Sequence, residues 1–275
     1  MTKMHKNEFL VDHTLCSKLI KNQFPSFANF ELIHVKSTGT DNTLYRLGKN
    51  MVIRLPRVDW AIKNIEKEFK WLEKLPQFLP LSIPKPISMG NPTEEYPIPW
   101  AIYNWIEGKN PEISEVDKTF AEDLANFIKA LRRVNLPNGP ICERGGPLEN
   151  RYDETLKAIR ALEGSIDEKK VLKHFESALL AEKWKKPSVW LHGDLSPWNL
   201  LVNEKRLKAV IDFGNLGVGD PAADVIPAWN LIPAHLRNLF RDSLDIDDAT
   251  WIRAKGLAIS IALIQIPYYK KTNPA

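Results

Sequence analysis

Cysteine is scarce: Cys16 and Cys142 are the two in 275 residues, far apart and without His or Cys neighbours. Such usage gives no basis for a thiolate metal site and fits a reducing cytoplasm. Long apolar runs are missing too, so no segment reads as a bilayer span, and residues 1–9 are too polar and charged for a signal peptide. Nor is charge gathered into blocks. The 38 Lys and Arg against 34 Asp and Glu leave a net +4, interspersed along the chain. The short cluster Lys183, Trp184, Lys185 and Lys186 reads as a solvated helix end rather than a nucleic-acid patch. Neither a membrane nor a nucleic acid is an expected partner. There is no internal repeat and no low-complexity tract.

What is present is 44% hydrophobic residue, enough core for one large domain or two lobes. Residues 12–24 read as a helix stopped by Pro25. Three strand-like runs follow at 30–37, 42–47 and 51–55, with turn signals between them. A helix is expected over 60–75, where Ile62, Ile65, Phe69 and Leu72 recur at helical spacing, and four prolines break up the next stretch. Another strand-like run, 100–105, leads into Glu107 and Gly108. The pattern then turns helical, with an apolar stripe from Phe120 to Leu131 and further helices over 151–162 and 171–184. Two short strands, 199–202 and 207–211, flank a polar motif, and the chain from Asp224 on is mostly helical. This order implies an α+β, bilobal plan with a cleft between the lobes: a small strand-rich lobe over 1–106 and a larger helical one over 107–275.

The motif runs His192-Gly193-Asp194-Leu195-Ser196-Pro197-Trp198-Asn199, followed by Val210-Ile211-Asp212-Phe213-Gly214. Phosphoryl transfer needs a carboxylate to accept a hydroxyl proton and oxygen ligands for magnesium. The Asp194-to-Asn199 spacing matches that of a kinase catalytic loop, and an Asp-Phe-Gly follows on the next apolar run. Asp194 is therefore the candidate base, with Asn199 and Asp212 as candidate magnesium ligands. His192 reads as a structural support of the loop. Asp and Asn beside Gly and Pro are also common turn residues, but turns alone do not demand this order and spacing.

These residues, with Gly219-Asp220-Pro221-Ala222 and Asp224, resemble the aminoglycoside phosphotransferase family of small-molecule kinases. The resemblance extends upstream. Gly39-Thr40-Asp41-Asn42-Thr43 looks like that family's nucleotide loop, Val52-Ile53-Arg54-Leu55-Pro56 like its third strand, and Tyr103-Asn104-Trp105-Ile106-Glu107-Gly108 like its hinge. It implies a protein-kinase-like fold, ATP or GTP with Mg2+, and transfer of phosphate to a hydroxyl of a small-molecule acceptor. Aminoglycoside and macrolide antibiotics are candidate acceptors. It also implies nucleotide contacts from Ser37, Thr38, Gly39, Thr40 and Asn42, from Arg54 paired with Glu68, and from the connector at Asn104 and Ile106.

Three departures matter. Arg54 stands where kinases usually place Lys, and its planar fork binds phosphate with a different geometry. The expected partner lies on the helix that follows. Glu66 and Glu68 both flank its apolar stripe, so periodicity does not choose between them, while the resemblance favours Glu68. The phosphate loop has one glycine, Gly39, in place of Gly-x-Gly-x-x-Gly. No Ala-Pro-Glu follows Asp212, which argues against a protein substrate. Two rival readings stand beside the main one: a nucleotide-binding module with little or no transferase activity, and a metabolic kinase of an amino alcohol or sugar. Asp247 and Asp248 precede an expected helix near Ala249, so their carboxylates read as a helix cap rather than a wall for a cationic antibiotic.

Overall fold

The computed structural model describes residues 9–36, 41–58, 61–204 and 206–272 of the chain. These fall into two compact units. The first comprises Met1–Lys109, Leu201–Asn203 and Lys208–Gly214; the second comprises Asn110–Leu200, Glu204–Leu207 and Asn215–Ala275.

The first unit is built on a five-stranded antiparallel sheet. Its strands are β1 (Leu32–Val35), β2 (Asn42–Leu47), β3 (Met51–Pro56), β4 (Pro86–Gly90) and β5 (Trp100–Asn104), in the order β1-β2-β3-β5-β4. Helix α1 (His13–Gln23) begins where the Asp12 carboxylate accepts the Leu15 N–H at 2.8 Å. Its Cys16, Leu19 and Ile20 are buried with Tyr45, Leu47, Ile53, Leu55, Trp100 and Ile102 of the sheet. Strand alternation turns the neighbours of those residues to the other face. There Arg54 lies opposite Leu44 on one side and Ala101 on the other, with Tyr103 two residues along from Ala101. Helix α2 (Ile62–Leu72) buries Ile65, Glu68, Trp71 and Leu72, so Glu68 occupies a position that spacing alone would give to an apolar residue.

The proline-rich stretch after α2, read from sequence as broken chain, contains β4. Pro86 is its first residue and β4 is an edge strand, where a missing N–H costs no ladder bond. Just before it, Ser82 bridges to the far end of the motif's second strand: its N–H donates to Lys208 O at 3.2 Å and its carbonyl accepts from Val210 N at 3.0 Å. This exchange ties Lys208–Gly214 into the first unit.

The second unit is mainly helical. Helix α3 (Lys118–Arg132) is capped by Asp117 and buries Phe120, Leu124, Phe127, Ile128 and Leu131, the stripe expected from sequence. Helices α4 (Tyr152–Ala161) and α5 (Glu168–Leu180) pack on the long α8 (Asp248–Thr272), with α6 (Pro227–Asn230) and α7 (Arg237–Leu244) between them in sequence. A Cβ on Gly256 would lie 2.2 Å from the Ala178 Cβ, so the close approach of α8 to α5 requires glycine there. By length and composition Asp248–Pro267 does qualify as a membrane-spanning helix, contrary to the expectation from sequence. Its Ala254, Leu257, Ser260 and Leu263 are buried within the unit. Three-residue strands β6 (Val189–Leu191) and β9 (Gly217–Gly219) pair antiparallel, while β7 (Leu200–Asn203) and β8 (Arg206–Val210), which pair with each other, lie mostly in the first unit.

Candidate active site

In the first unit, strand alternation and helix phase bring Arg54, Glu68 and Asp212 together. Arg54 Nη1 donates to Glu68 Oε1 at 2.7 Å and Nη2 to Asp212 Oδ1 at 2.8 Å. The other oxygen of Glu68 accepts the Tyr103 hydroxyl at 2.5 Å. Glu68 is 1% exposed and its rival Glu66 is exposed, so the ion-pair partner of Arg54 is Glu68. Burial works against the Arg54 cation, but Asp212 and then Glu68 outweigh it and hold the guanidinium charged. Burial pushes the Glu68 carboxyl up, Arg54 opposes it, and the same burial with the Glu68 charge lifts the Tyr103 phenol well above its ordinary range.

Asp212 leaves β8 with φ at +61°, a left-handed conformation that an Asp adopts more readily than most residues. Its Oδ1 also lies 3.4 Å from the Gly214 N–H, and the Lys67 ammonium donates to the Gly214 carbonyl. One guanidinium fork thus spans a helix glutamate and the Asp-Phe-Gly carboxylate, which the single nitrogen of a lysine reproduces less well.

Among the other candidates, Ser37, Thr38, Gly39 and Thr40 lie outside the described residues. Asn42 opens β2, paired with Pro56 two positions beyond the Leu44–Arg54 pair. Asn104 ends β5 and ties it to Lys85, accepting its N–H on Oδ1 at 2.5 Å and donating its own N–H to its carbonyl at 3.1 Å. The Trp105 N–H goes to Asn50 O at 2.7 Å. The backbone N–H groups of Asn104 and Trp105 are therefore both bonded within the first unit. A cavity of about 540 Å³ borders this connector, lined by Leu79, Ile83, Lys85, Trp105, Ile106 and Lys208 among others; Arg54, Glu68 and Asp212 take no part in it.

In the second unit, Asp194 and Asn199 share one loop. Asn199 Nδ2 donates to the Asp194 carbonyl at 2.8 Å, so its amide oxygen is the atom that could accept a cation. The buried Asp224 carboxylate accepts the N–H groups of His192 at 2.7 Å and Gly193 at 2.8 Å. His192, fully buried, accepts the Asp194 N–H on Nδ1 at 3.2 Å, the supporting role expected of it. Gly193 has φ +77°, and a Cβ there would lie 2.7 Å from Cys142 Sγ. The Asn110 amide donates to the carbonyls of Pro197, Trp198 and Leu200, fixing the far side of the loop.

Several participants escaped sequence reasoning. Tyr103 was read only as part of a hinge, and Asp220 and Asp224 together as holding the loop after Asp212 and capping the next helix. Asp220 does cap the turn Pro221–Val225 and pairs with Arg253, whereas Asp224 anchors the loop that carries Asp194. Arg144, from a glycine-rich run with no legible pattern, pairs with the Asp194 carboxylate.

Among the described residues no group of three or more His, Cys, Asp or Glu is placed to hold a metal. A magnesium ion does not need one, because it keeps water and phosphate oxygens in its shell and takes one or two protein oxygens. Asn199 in the second unit and Asp212 in the first each carry an oxygen of that kind, so each residue fits such an ion by its chemistry.

A five-stranded antiparallel unit joined to a mainly helical one, with an Arg–Glu ion pair on its third strand, is the architecture of kinase-like phosphotransferases. Residues 35–257 match the phosphotransferase enzyme family, and the chain belongs to that family. No curated protein matches the chain. Among solved structures, the GDP complex of wild-type aminoglycoside 2'-phosphotransferase-IIIa superimposes with a TM-score of 0.75 at 18% identity, covering 95% of this chain and 92% of that one. The GDP and kanamycin complex of APH(2")-IIia gives 0.71 at 19% identity, with 93% and 91% covered. The apoenzyme of macrolide 2'-phosphotransferase MphH from Brachybacterium faecium gives 0.68 at 17%, with 95% and 93% covered. At these identities the likeness is one of fold.

Proposed function

We propose that this phosphotransferase moves the γ-phosphoryl group of ATP or GTP, with Mg2+, to a hydroxyl of a small-molecule acceptor. The observation that carries the reading is the Arg54 fork held by Glu68 and Asp212, a fixed cation beside the carboxylate of the Asp-Phe-Gly motif. The first unit is then the nucleotide-binding lobe, and Asn42, Asn104, Ile106, Ser37, Thr38, Gly39 and Thr40 are its proposed nucleotide contacts. The second is the catalytic and acceptor-binding lobe.

Asp194 accepts a hydrogen bond from the acceptor hydroxyl and aims its oxygen at the γ-phosphorus. As the new O–P bond forms and the β–γ bridging bond breaks, the hydroxyl proton passes to the Asp194 carboxylate and the nucleoside diphosphate leaves. Asn199 and Asp212 would hold the magnesium, which would supply charge to offset the phosphates. Arg54 adds a second cation to the phosphates, held in place by Glu68 so that little reorganisation accompanies the reaction. The cytoplasm supplies nucleotide and magnesium and keeps thiols reduced. There the buried Cys16 and Cys142 stay inert, because burial pushes their thiols up to about 12 and about 11.

Relatives in fold that carry aminoglycosides or macrolides in their names make those antibiotics the first acceptors to try, followed by amino alcohols and sugars. The test is release of ADP or GDP with magnesium across that panel, with Asp194→Asn alongside. Acceptor-dependent release that vanishes in the variant supports the reading and names the acceptor class. Nucleotide binding without release on any acceptor would favour a binding module instead.

A further inference from the structure

The Asp194 carboxylate already has a partner, and that partner is built into the fold. Arg144 Nη1 donates to Asp194 Oδ1 and, at 3.2 Å, to the carbonyl of Gly193. One nitrogen thus grips the side chain of one residue and the backbone of the residue before it. The segment that carries Arg144 is itself clamped. Cys142 donates its N–H to Val218 O at 3.1 Å, and Gly145 accepts the Asp220 N–H at 2.9 Å, so both ends of the short turn Glu143–Gly145 are fastened to β9 and the residue after it. The Cys142 side chain fills the space beside Gly193, where a Cβ would collide with it. Arg144 therefore stands on a fixed base, against a loop whose other atoms are already held by Asp224, His192 and Asn199.

We infer that Arg144 is a positioning residue for phosphoryl transfer: it sets the rotamer of the Asp194 carboxylate, leaving the second oxygen to receive the acceptor hydroxyl. The inference rests on the kinase reading of Asp194. Of the two carboxylate oxygens only Oδ1 is bonded to Arg144, and a carboxylate anchored through one oxygen presents the other in a defined direction. Without the anchor the side chain samples several rotamers, and a misplacement of about 1 Å at a reacting group costs about a hundredfold in rate. The side chains of Arg144 and Asp194 are 24% and 30% exposed, so the pair is open to an incoming acceptor and adds little to folding stability.

The experiment compares wild type, Arg144→Ala, Arg144→Lys and Asp194→Asn on the best acceptor found in the panel. It reads kcat, both KM values, nucleotide affinity and thermal unfolding. The expected result is a fall in kcat of about a hundredfold in Arg144→Ala, with nucleotide affinity and unfolding temperature unchanged. Arg144→Lys should recover part of the loss, because an ammonium restores a donor without the fork. An unchanged kcat in Arg144→Ala overturns the inference, as does a rise in acceptor KM alone, which would make Arg144 a binding group. Failure of the kinase reading looks different: wild type itself would show no acceptor-dependent turnover, or Asp194→Asn would keep it.

Discussion

Each unit of this chain contains an arginine that grips a candidate site carboxylate, and the two grips are made differently. In the first unit Glu68 is 1% exposed and Arg54 13%, with every oxygen of Glu68 bonded. In the second, Arg144 and Asp194 are 24% and 30% exposed. A buried ion must keep its partner, because the solvation it gave up is not recovered if the partner leaves. A half-exposed ion can exchange its partner for water or substrate at little cost. The Arg54 pair is thus suited to staying fixed and the Asp194 pair to exchanging its hydrogen bonds, as the proposed function asks of each.

The sharpest way to break this contrast is at the open site. Asp194→Asn removes the proton acceptor but retains the shape, and turnover should fall at least about a thousandfold, which is about 4 kcal/mol of barrier. Stability and nucleotide affinity should stay near wild type. If nucleotide affinity collapses instead, Asp194 serves binding rather than proton transfer. The buried site predicts the reverse. Glu68→Ala leaves the Arg54 cation with one partner, the 45%-exposed Asp212, and should destabilise the fold by about 3 kcal/mol, measured by urea denaturation. Arg144→Ala in the same assay should cost less than about 1 kcal/mol. Equal losses in the two variants would mean that burial does not separate the sites.

How far these sites were legible from sequence follows the same divide between local and long-range causes. Asp194, Asn199 and Asp212 announce themselves because one loop and the strand after it fix their spacing. Strand β2 and the start of β3 follow from turn residues and alternation, and α3 from its stripe. Glu68 could not be separated from Glu66, because both flank the apolar stripe of α2; only the sheet beneath the helix decides which of them is buried. Strand β4 hides behind prolines that an edge position tolerates. Strands β6 and β9 have three residues each, too few for any period, and β9 is two-thirds glycine. Arg144 sits in a turn whose place is set by backbone bonds to β9 and Asp220, contacts 74 or more residues away that no local pattern encodes. The resemblance to a family supplied Glu68 and singled out Asp224 without its contacts, and it did not supply Arg144.

A fourth variant tests whether the open site depends on a buried one. Asp224 is fully buried and accepts two N–H groups of the catalytic loop. Burial pushes its carboxyl up, while the His192 charge and those two N–H groups oppose the rise. Asp224→Ala strands both donors and should cost about 2 kcal/mol. Because the stranded groups flank Asp194, turnover should fall as well, although the variant touches no substrate. Full activity with the stability loss would show that Asp194 is held well enough by His192, Asn199 and Arg144.

The smallest expected effect lies furthest from the chemistry, at the start of α8. Asp247 accepts the Thr250 N–H at 2.6 Å, as a helix cap does, so the acidic residues here serve the helix as read from sequence. Burial raises the Asp247 carboxyl, but the Thr250 backbone and hydroxyl, then Arg253 and Lys186, outweigh it and leave the group below its ordinary range. A folded-state pKa below the unfolded one means that the unfolded chain takes up the proton first as pH falls. The cap's stabilisation is therefore whole above the unfolded pKa of about 4 and disappears as pH drops through the folded value. Asp247→Ala should cost about 0.5–1 kcal/mol at pH 7, at the low end because the side chain is exposed, and the gap from wild type should close on acidification. Urea midpoints of the two proteins, taken in steps from pH 7 towards pH 3, measure that gap. A gap that stays constant would mean that the hydrogen bond, not the charge, makes the cap.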